Sequence, residues 1–334
     1  MTRASLLIAT LVLPFWPLTS AEAQPHLGRP CSVLIFPLCD STAGNLTLVT
    51  VTNTDDNETP CPGGFRQGDV EAHYLYYSEF WQLADQDEPL SPADTITVLT
   101  RAHNRAFDSG FLIVEVRDPA TGLEIDHDVL IGSALIINSE FDYQWTYMPY
   151  GFEGLIEAGA VDACGRFLVD PPGDPDENTI DFNGVELSYF PDQLLLDRFF
   201  GEGSPAGRPG LSFGNTIYLM SSSSGRPGNS TNVSLMGWNN NELAFTRMFS
   251  FDCYLLANLG SIINAVTQPN LSTGGDTSEL FGVATGWLRL TATNADHALL
   301  GVFSESSSIG PRSFTTGKAL HYAGTRQISI DRVF

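Results

Sequence analysis

The sequence predicts an all-β protein made of two tandem β-sandwich domains. Short stretches alternate apolar and polar residues with the two-residue period of strands, as in DVEAHYLYY (69–77) and GFLIVEV (110–116). Thr, Val, Ile and aromatic residues fill these stretches, and clusters of Gly, Pro, Asn or Asp bound them. Many short strands separated by turn residues are typical of sandwich folds. The stretches also occur twice in one order, which indicates an internal duplication.

The duplication is most evident in the pair SGFLIVEV (109–116) and TGWLRLTA (285–292). Both place a small residue and Gly before a bulky aromatic residue, then Leu, then alternation. Four other pairs follow in the same order at offsets of 163 to 170 residues: GNLTLVTVTN with GNTIYLMSSS, DVEAHYLYY with NVSLMGWNN, LSPADTITVL with LANLGSIINAV, and LIGSALIINS with LLGVFSESSS. LANLGSIINAV (256–266) is also the best helix candidate in the chain. Collinear matches of this kind are the pattern expected of a duplicated domain with loop insertions.

The opening pair makes a prediction about side chains. Gly110 and Gly286 should begin equivalent strands, at a turn or bulge where a side chain would clash with a neighbouring backbone. Phe111 and Trp287 should then occupy equivalent core positions. The leucine that follows each of them should lie on the opposite face of its strand.

Composition changes divide the chain into four parts. Residues 1–23 resemble a secretory signal peptide, 30–160 form the first predicted sandwich, 161–210 are a Pro-, Gly- and Asp-rich connector, and 211–330 form the second sandwich. Both sandwiches are expected to be immunoglobulin-like in general architecture.

The compartment follows from the N-terminal stretch and the charge. The start is basic at Arg3, an apolar stretch follows, and the Ala21-Glu22-Ala23 triplet predicts cleavage after Ala23, so we expect a secreted or cell-surface protein. The net charge of −23 argues against nucleic acid and anionic membranes as partners, because both require a cationic surface. No membrane insertion is expected, and an extracellular protein or a glycan is the predicted partner.

The chain has five cysteines, which can oxidise after export. One predicted bridge joins Cys61 to Cys31 or Cys39, and a second joins Cys164 to Cys253, which leaves one thiol free. Connectivity does not follow from sequence, so Cys39, Cys61, Cys164 and Cys253 are disulfide candidates only.

An aromatic strip is the main predicted ligand-binding feature. In an extended DYQWTYMPYGF (142–152), Tyr143, Trp145 and Tyr147 share one face. Such a strip could stack on sugar rings. The alternative, which we favour, is that these rings fill a core or a domain interface, because aromatic side chains bury large apolar areas.

An acidic segment, GDPDENTIDFNGVE (173–186), resembles a calcium loop in part. Thr179 replaces the usual glycine, and the last carboxylate comes one residue late. The alternative is a solvated acidic linker, and apart from a structural Ca²⁺ no cofactor is expected. The candidate oxygen ligands are Asp174, Asp176, Asn178, Asp181 and Glu186.

No group of residues predicts catalysis. GLSFG (210–214) fits G-x-S-x-G around Ser212, but a Pro/Gly linker precedes it and a strand-like stretch follows, so we expect only a turn that opens a strand. The sequence therefore predicts a non-enzymatic extracellular or cell-surface interaction or structural protein, with carbohydrate binding as the alternative. An outer-membrane β-barrel is a remote third option, based on the terminal QISIDRVF and disfavoured by the Ser- and Asn-rich strands at 221–241 and by the cysteines.

Overall fold

A computed structural model describes residues 25–140, 143–173, 178–205, 208, 210–222, 230–271 and 283–332. Across these residues the protein is nearly all β, in several small antiparallel sheets, which confirms the predicted all-β class. Among the described residues, no helix is long and apolar enough to span a membrane. The predicted signal peptide lies outside them.

The first group of strands covers residues 33–152. Sheet I has the order β10-β1-β6-β3-β4 and sheet II the order β5-β2-β8-β9. The strands are β1 (Val33–Asp40), β2 (Asn45–Asn53), β3 (Val70–Ser78), β4 (Leu83–Leu90), β5 (Thr95–Leu99), β6 (Ser109–Arg117), the short β7 (Ile125–Asp126), β8 (Leu130–Asn138), β9 (Tyr143–Tyr147) and β10 (Tyr150–Phe152).

The second group covers the rest of the described chain. Sheet III has the order β21-β13-β18-β15-β16, sheet IV the order β17-β14-β19-β20, and the pairs β7–β11 and β12–β22 stand apart. The strands are β11 (Phe167–Leu168), β12 (Thr179–Phe182), β13 (Gln193–Phe200), β14 (Leu211–Ser221), β15 (Thr231–Asn239), β16 (Ala244–Phe251), β17 (Tyr254–Asn258), β18 (Thr285–Ala292), β19 (Leu299–Ile309), β20 (Arg312–Ala319), β21 (His321–Ala323) and β22 (Ile328–Asp331).

The two groups share one topology. If β1–β6 and β8–β10 are counted as the first strand set and β13–β21 as the second, both sets have the same strand order in their five-stranded and four-stranded sheets. Both also contain the same irregularity. The pairing shifts between Phe36 and Cys39 opposite β6, and between Leu196 and Phe199 opposite β18.

Short helices follow the fifth strand of each set. In the first set this helix is α1 (Thr100–His103), and in the second it is α2 (Leu259–Ile262). A 3-10 helix (Asn264–Val266) and α3 (Gln268–Leu271) come next. The predicted helical character of 256–266 is thus confirmed for its second part, whereas its first residues belong to β17.

Three buried clusters hold these layers together. Sheets I and II share one, which includes Phe36 and Val51, and sheets III and IV share another, which includes Leu196 and Leu219. The third lies on the outer face of sheet I, where β12, β22 and residues 187–190 cover it. Sheet I is therefore buried on both faces.

The disulfide prediction was wrong in its pairing. The structure joins Cys61 to Cys164, which are 103 positions apart in sequence, while Cys39 and Cys253 are buried free thiols, as is Cys31. The reason is geometric, because Cys39 lies within the buried β1 and Cys253 packs behind the turn after β3. The bridge ties the turn-rich insertion after β2 to the segment that follows β10.

The region predicted as a connector contains a central strand. Gln193–Phe200 forms β13, which lies between β18 and β21 in sheet III, and Phe199 is fully buried in the core of the second set. The end of the described chain returns to the first set, where Arg332 contacts Glu115, Glu124 and Asp170.

Candidate binding sites

The predicted aromatic strip is divided between the interior and the surface. Trp145 and Tyr147 are only 5% and 3% exposed, which agrees with the favoured interpretation that these rings fill a core or a domain interface and leaves no three-ring face for sugar stacking. Trp145 packs on Gly317 and lies 6.2 Å from the ring of Tyr218, because β9 packs against β20 of the second set. Only Tyr143 keeps partial exposure.

The glycine prediction is confirmed at both positions. A Cβ on Gly110 would lie 1.9 Å from the carbonyl oxygen of Tyr77, and one on Gly286 would lie 2.7 Å from that of Trp238. Each glycine thus allows close approach of the neighbouring strand. The residue one position later differs, since Phe111 is 1% exposed whereas Trp287 is 41% exposed. The prediction that Trp287 is a core residue was wrong.

A stacked aromatic pair occupies the same position in both sets. In sheet I, the rings of Tyr77 and Phe111 stack with centroids 4.8 Å apart and an 8° interplanar angle. In sheet III, Trp238 and Trp287, hereafter the tryptophan pair, stack at 4.1 Å and 11°. Each pair consists of directly opposed residues on the third and sixth strands of its set.

The turn beside each pair has the same backbone geometry in both sets. In both turns the fourth residue has a φ of 62° and donates its N–H to the first residue's carbonyl, at 3.1 Å. In the first set this fourth residue is Trp81, which makes edge contacts with both rings, at 5.7 and 5.3 Å. In the second set it is Glu242, which is exposed. The aromatic cap of the first pair is therefore a carboxylate in the second.

The outer face of sheet III has no covering layer among the described residues. Trp287 and Met248 are 41% and 56% exposed, whereas the equivalent face of sheet I lies under Phe182, Phe190 and Ile330. This difference explains the failed core prediction, because strand alternation fixes only the face to which a side chain points. Whether that face is buried depends on a layer from elsewhere in the chain.

The charge of sheet III differs from that of the whole chain. Its strands carry three arginines and one acidic residue, Asp197, which pairs with Lys318. Arg198 pairs with Glu305 of sheet IV at 3.5 Å, and Arg247 lies opposite the buried Leu235 and therefore on the inner face. Arg289 shares the outer face with the tryptophan pair. The chain as a whole has a net charge of −23. The outer face of sheet III thus presents Arg289 beside the exposed Trp287 and Met248.

A second feature is a cleft of about 280 Å³ on the outer face of sheet IV, hereafter the hydroxyl cleft. Seven serine and threonine side chains and two tyrosine rings line it, and none of the lining residues is charged. The lining residues are Tyr143, Thr216, Tyr218, Ser304, Ser306, Ser307, Ser308, Ser313 and Thr315. Tyr143 comes from β9 and the others from the second set, so the cleft lies where the two sets meet.

Both tyrosines of the hydroxyl cleft have a raised pKa, mainly because they are buried, and are therefore neutral. Burial, with a smaller contribution from Asp40, raises the pKa of Tyr143 above its ordinary value. Burial, opposed by a hydrogen bond with Ser304, raises the pKa of Tyr218 to about 12, and Asp40 again acts in the same direction. Asp40 thus contributes negative charge near both phenols.

Three of the five predicted calcium ligands lie within the described residues, and no metal-binding group is found around them. Asp174 and Asp176 lie outside the described residues. Asp181 is in β12 and contacts the hydroxyls of Thr179 and Ser329, while Asn178 precedes that strand and Glu186 follows it. Within the described ranges, no three His, Cys, Asp or Glu side chains form a group that could hold a metal ion.

Two hydroxyl–histidine arrangements occur, but both are sealed. Thr231 Oγ1 lies 2.7 Å from Nδ1 of His297, and Tyr76 Oη lies 2.8 Å from Nδ1 of His103. Thr231 is fully buried and Tyr76 is 2% exposed, so neither hydroxyl can reach a substrate. Ser212, the G-x-S-x-G serine, lies within β14 with its hydroxyl 2.8 Å from that of Ser308. These groups stabilise strands.

Comparison with known proteins does not identify this chain. No family model matches it, and no curated protein matches it. A crystal structure of Thermotoga maritima 1070 is similar at 5% sequence identity and a TM-score of 0.28, covering 40% of this chain and 97% of that chain. A likeness at this TM-score supports no argument about fold or function.

The sequence contains a signal for the exposed tryptophan pair, in the outward-facing residues of two matched strands. The outward positions of β6 hold Phe111, Ile113 and Glu115, and those of β18 hold Trp287, Arg289 and Thr291. A change from isoleucine to arginine between matched strands indicates that one face is buried and that the other is exposed to solvent. Matching the strands residue by residue would have shown it.

Proposed function

We propose that this chain is a secreted, non-enzymatic interaction protein made of two β-sandwich domains that arose by duplication. Equal strand order, equal strand irregularities and equal turns in the two sets support the duplication. On this proposal the second domain begins near Gln193, because β13 is its first strand. The disulfide is compatible with an oxidising extracellular compartment.

The interaction surface is the outer face of sheet III, centred on the tryptophan pair. One observation carries this proposal: the same stacked pair is capped and buried in the first set and open in the second. Exposed aromatic surface on a protein is unfavourable unless something covers it. Trp, Met and Arg are also the side chains enriched at protein interfaces.

The occupant is an extended segment of a partner protein that carries an aromatic side chain and acidic residues. Sheet I provides the pattern, since its pair is capped edge-on by an indole and its outer face is covered by the extended β12 with Phe182. Arg289, which shares the outer face with the pair, favours negative charge in the partner. The pair itself supplies the central apolar anchor.

Accessibility is the first test. Trp81 and Trp145 are buried, so acrylamide should quench mainly the fluorescence of the tryptophan pair. The double variant W238F/W287F should lose the quenchable fraction, while the control W81F should keep it. Equal quenching in both variants would show that the pair is covered in solution and would end the proposal.

Binding is the second test. A displayed library of random peptides is selected on the intact protein and counter-selected on a W238S/W287S variant. We expect peptides with an aromatic residue and neighbouring Asp or Glu, and we expect Glu242→Trp to weaken their binding because it restores the cap seen at Trp81. Peptides that bind the double variant equally well would refute the surface. A glycan array tests the alternative partner. If glycans bind and their binding requires the two tryptophans, the partner is a glycan and not a protein.

A further inference from the structure

We propose that the hydroxyl cleft binds a single neutral sugar residue. The cleft is separate from the tryptophan pair, and the argument for it does not depend on the proposed partner. It rests on the arrangement of hydroxyls on sheet IV, on the two tyrosines at its end, and on the absence of charge among its lining residues.

The floor of the cleft is a regular array of small polar side chains. Cross-strand pairing aligns three rungs across β14, β19 and β20 on one face of the sheet. Glycines at two of the nine positions deepen the surface, and Trp145 fills one of these, at Gly317. The rungs are Ser212/Ser308/Ser313, Gly214/Ser306/Thr315 and Thr216/Ser304/Gly317.

The hydroxyls of this floor are not fully used by the protein. Ser212 and Ser308 contact each other at 2.8 Å, and Ser306 donates weakly to the carbonyl of Gly214 at 3.3 Å. Thr315 Oγ1 is buried without a hydrogen-bond partner among the described residues. A buried hydroxyl without a partner is costly, so a turn of the partly exposed Thr315 side chain that brings this hydroxyl to a ligand would be favoured.

The chemistry of the lining selects the ligand class. A serine or threonine hydroxyl both donates and accepts, as does each hydroxyl of a sugar, so the two sets can pair without charge. The tyrosine rings provide apolar faces for the C–H side of the ring. The lining offers no cation to pair with a carboxylate, and Asp40 adds negative charge near both tyrosines, so a neutral sugar is favoured over an acidic one.

Size and place agree with this assignment. A volume of about 280 Å³ is near the lower end of ligand pockets, which run from roughly 300 to 1,000 Å³, so one sugar residue fits better than a long chain. Ligand sites also occur preferentially at domain interfaces. Tyr143 closes the cleft from the first set, which makes the site dependent on both halves of the protein.

Ligand-detected NMR and calorimetry on the intact protein test the proposal, with glucose, galactose and mannose as probes and the matching uronic acids as charge controls. At least one neutral hexose should bind, and its uronic acid should bind more weakly. Short neutral oligosaccharides distinguish a free monosaccharide from the terminal residue of a glycan.

Variants assign the binding to the cleft. Tyr143→Ala should weaken binding about tenfold or more, and Thr315→Val about three- to tenfold, which is the range for one lost hydrogen bond. Two controls should bind normally: Thr97→Val, an exposed threonine on sheet II, and the W238S/W287S variant. The proposal is overturned if no neutral hexose binds, if uronic acids bind equally well, or if Tyr143→Ala binds as tightly as the unchanged protein. Loss of sugar binding in W238S/W287S alone would place the sugar-binding site on sheet III.

Discussion

Arg332 holds the covering layer of sheet I in place, and replacing it tests how that layer is attached. Its guanidinium lies 3.1 Å from Glu115 and 2.7 Å from Asp170, and it also contacts Glu124. The arginine side chain is 10% exposed, and the three carboxylates are 0%, 6% and 4% exposed, so solvent screens these pairs little. Arg332→Met would leave buried carboxylates without their main cation.

The expected loss of stability is about 3 to 5 kcal/mol at pH 7, the range for removing one partner of a buried pair. Burial by itself would raise the pKa of Glu115, but Arg332, Arg117 and His73 together hold it below its ordinary value. A carboxylate with a depressed pKa stabilises the fold above its unfolded pKa, and this contribution is lost as pH falls through the folded pKa. In the variant Glu115 can take up a proton, so the difference from the unchanged protein should shrink towards about pH 4.

Urea unfolding at pH 7 and pH 4 measures both effects, with Arg312→Met as a control because Arg312 is exposed. Binding of the dye ANS should also rise in Arg332→Met as the outer face of sheet I opens. A loss under about 1 kcal/mol at pH 7 would refute the reasoning. So would a loss of the same size at both pH values.

Three further predictions concern the cysteines and the acidic segment. Reduction of Cys61–Cys164 should cost about 4 to 5 kcal/mol, because the bridge joins residues 103 positions apart, and urea midpoints with and without reductant measure this cost. An unchanged midpoint would contradict this prediction. The three free cysteines are buried, so Ellman's reagent should label none in the native protein and three in urea; rapid native labelling would contradict their placement. If segment 173–186 binds calcium, the melting temperature should be higher in calcium than in chelator, and equal values would end the calcium hypothesis.

Local rules predicted the features that depend on strand neighbours. Alternation and turn residues gave the all-β class, and the two glycines were placed correctly because a missing Cβ has a local cause. The disulfide and the burial of Trp287 depend on which distant segment covers which face, and alternation carries no such information. The same reason explains the aromatic strip, since Trp145 is buried by β20 of the second set.

The proposed interaction surface rests on the differences between the two strand sets. The covered face of sheet I keeps Phe111 and Ile113, while the open face of sheet III has Trp287 and Arg289 at the same positions. If the open face were only a solvent-exposed surface, polar residues would be expected at the positions of both Trp287 and Arg289. One became arginine, and the other is a tryptophan stacked on Trp238 at 4.1 Å. A pair of large aromatic rings retained beside a solvated arginine is explained most simply by a surface that is covered only when the partner binds.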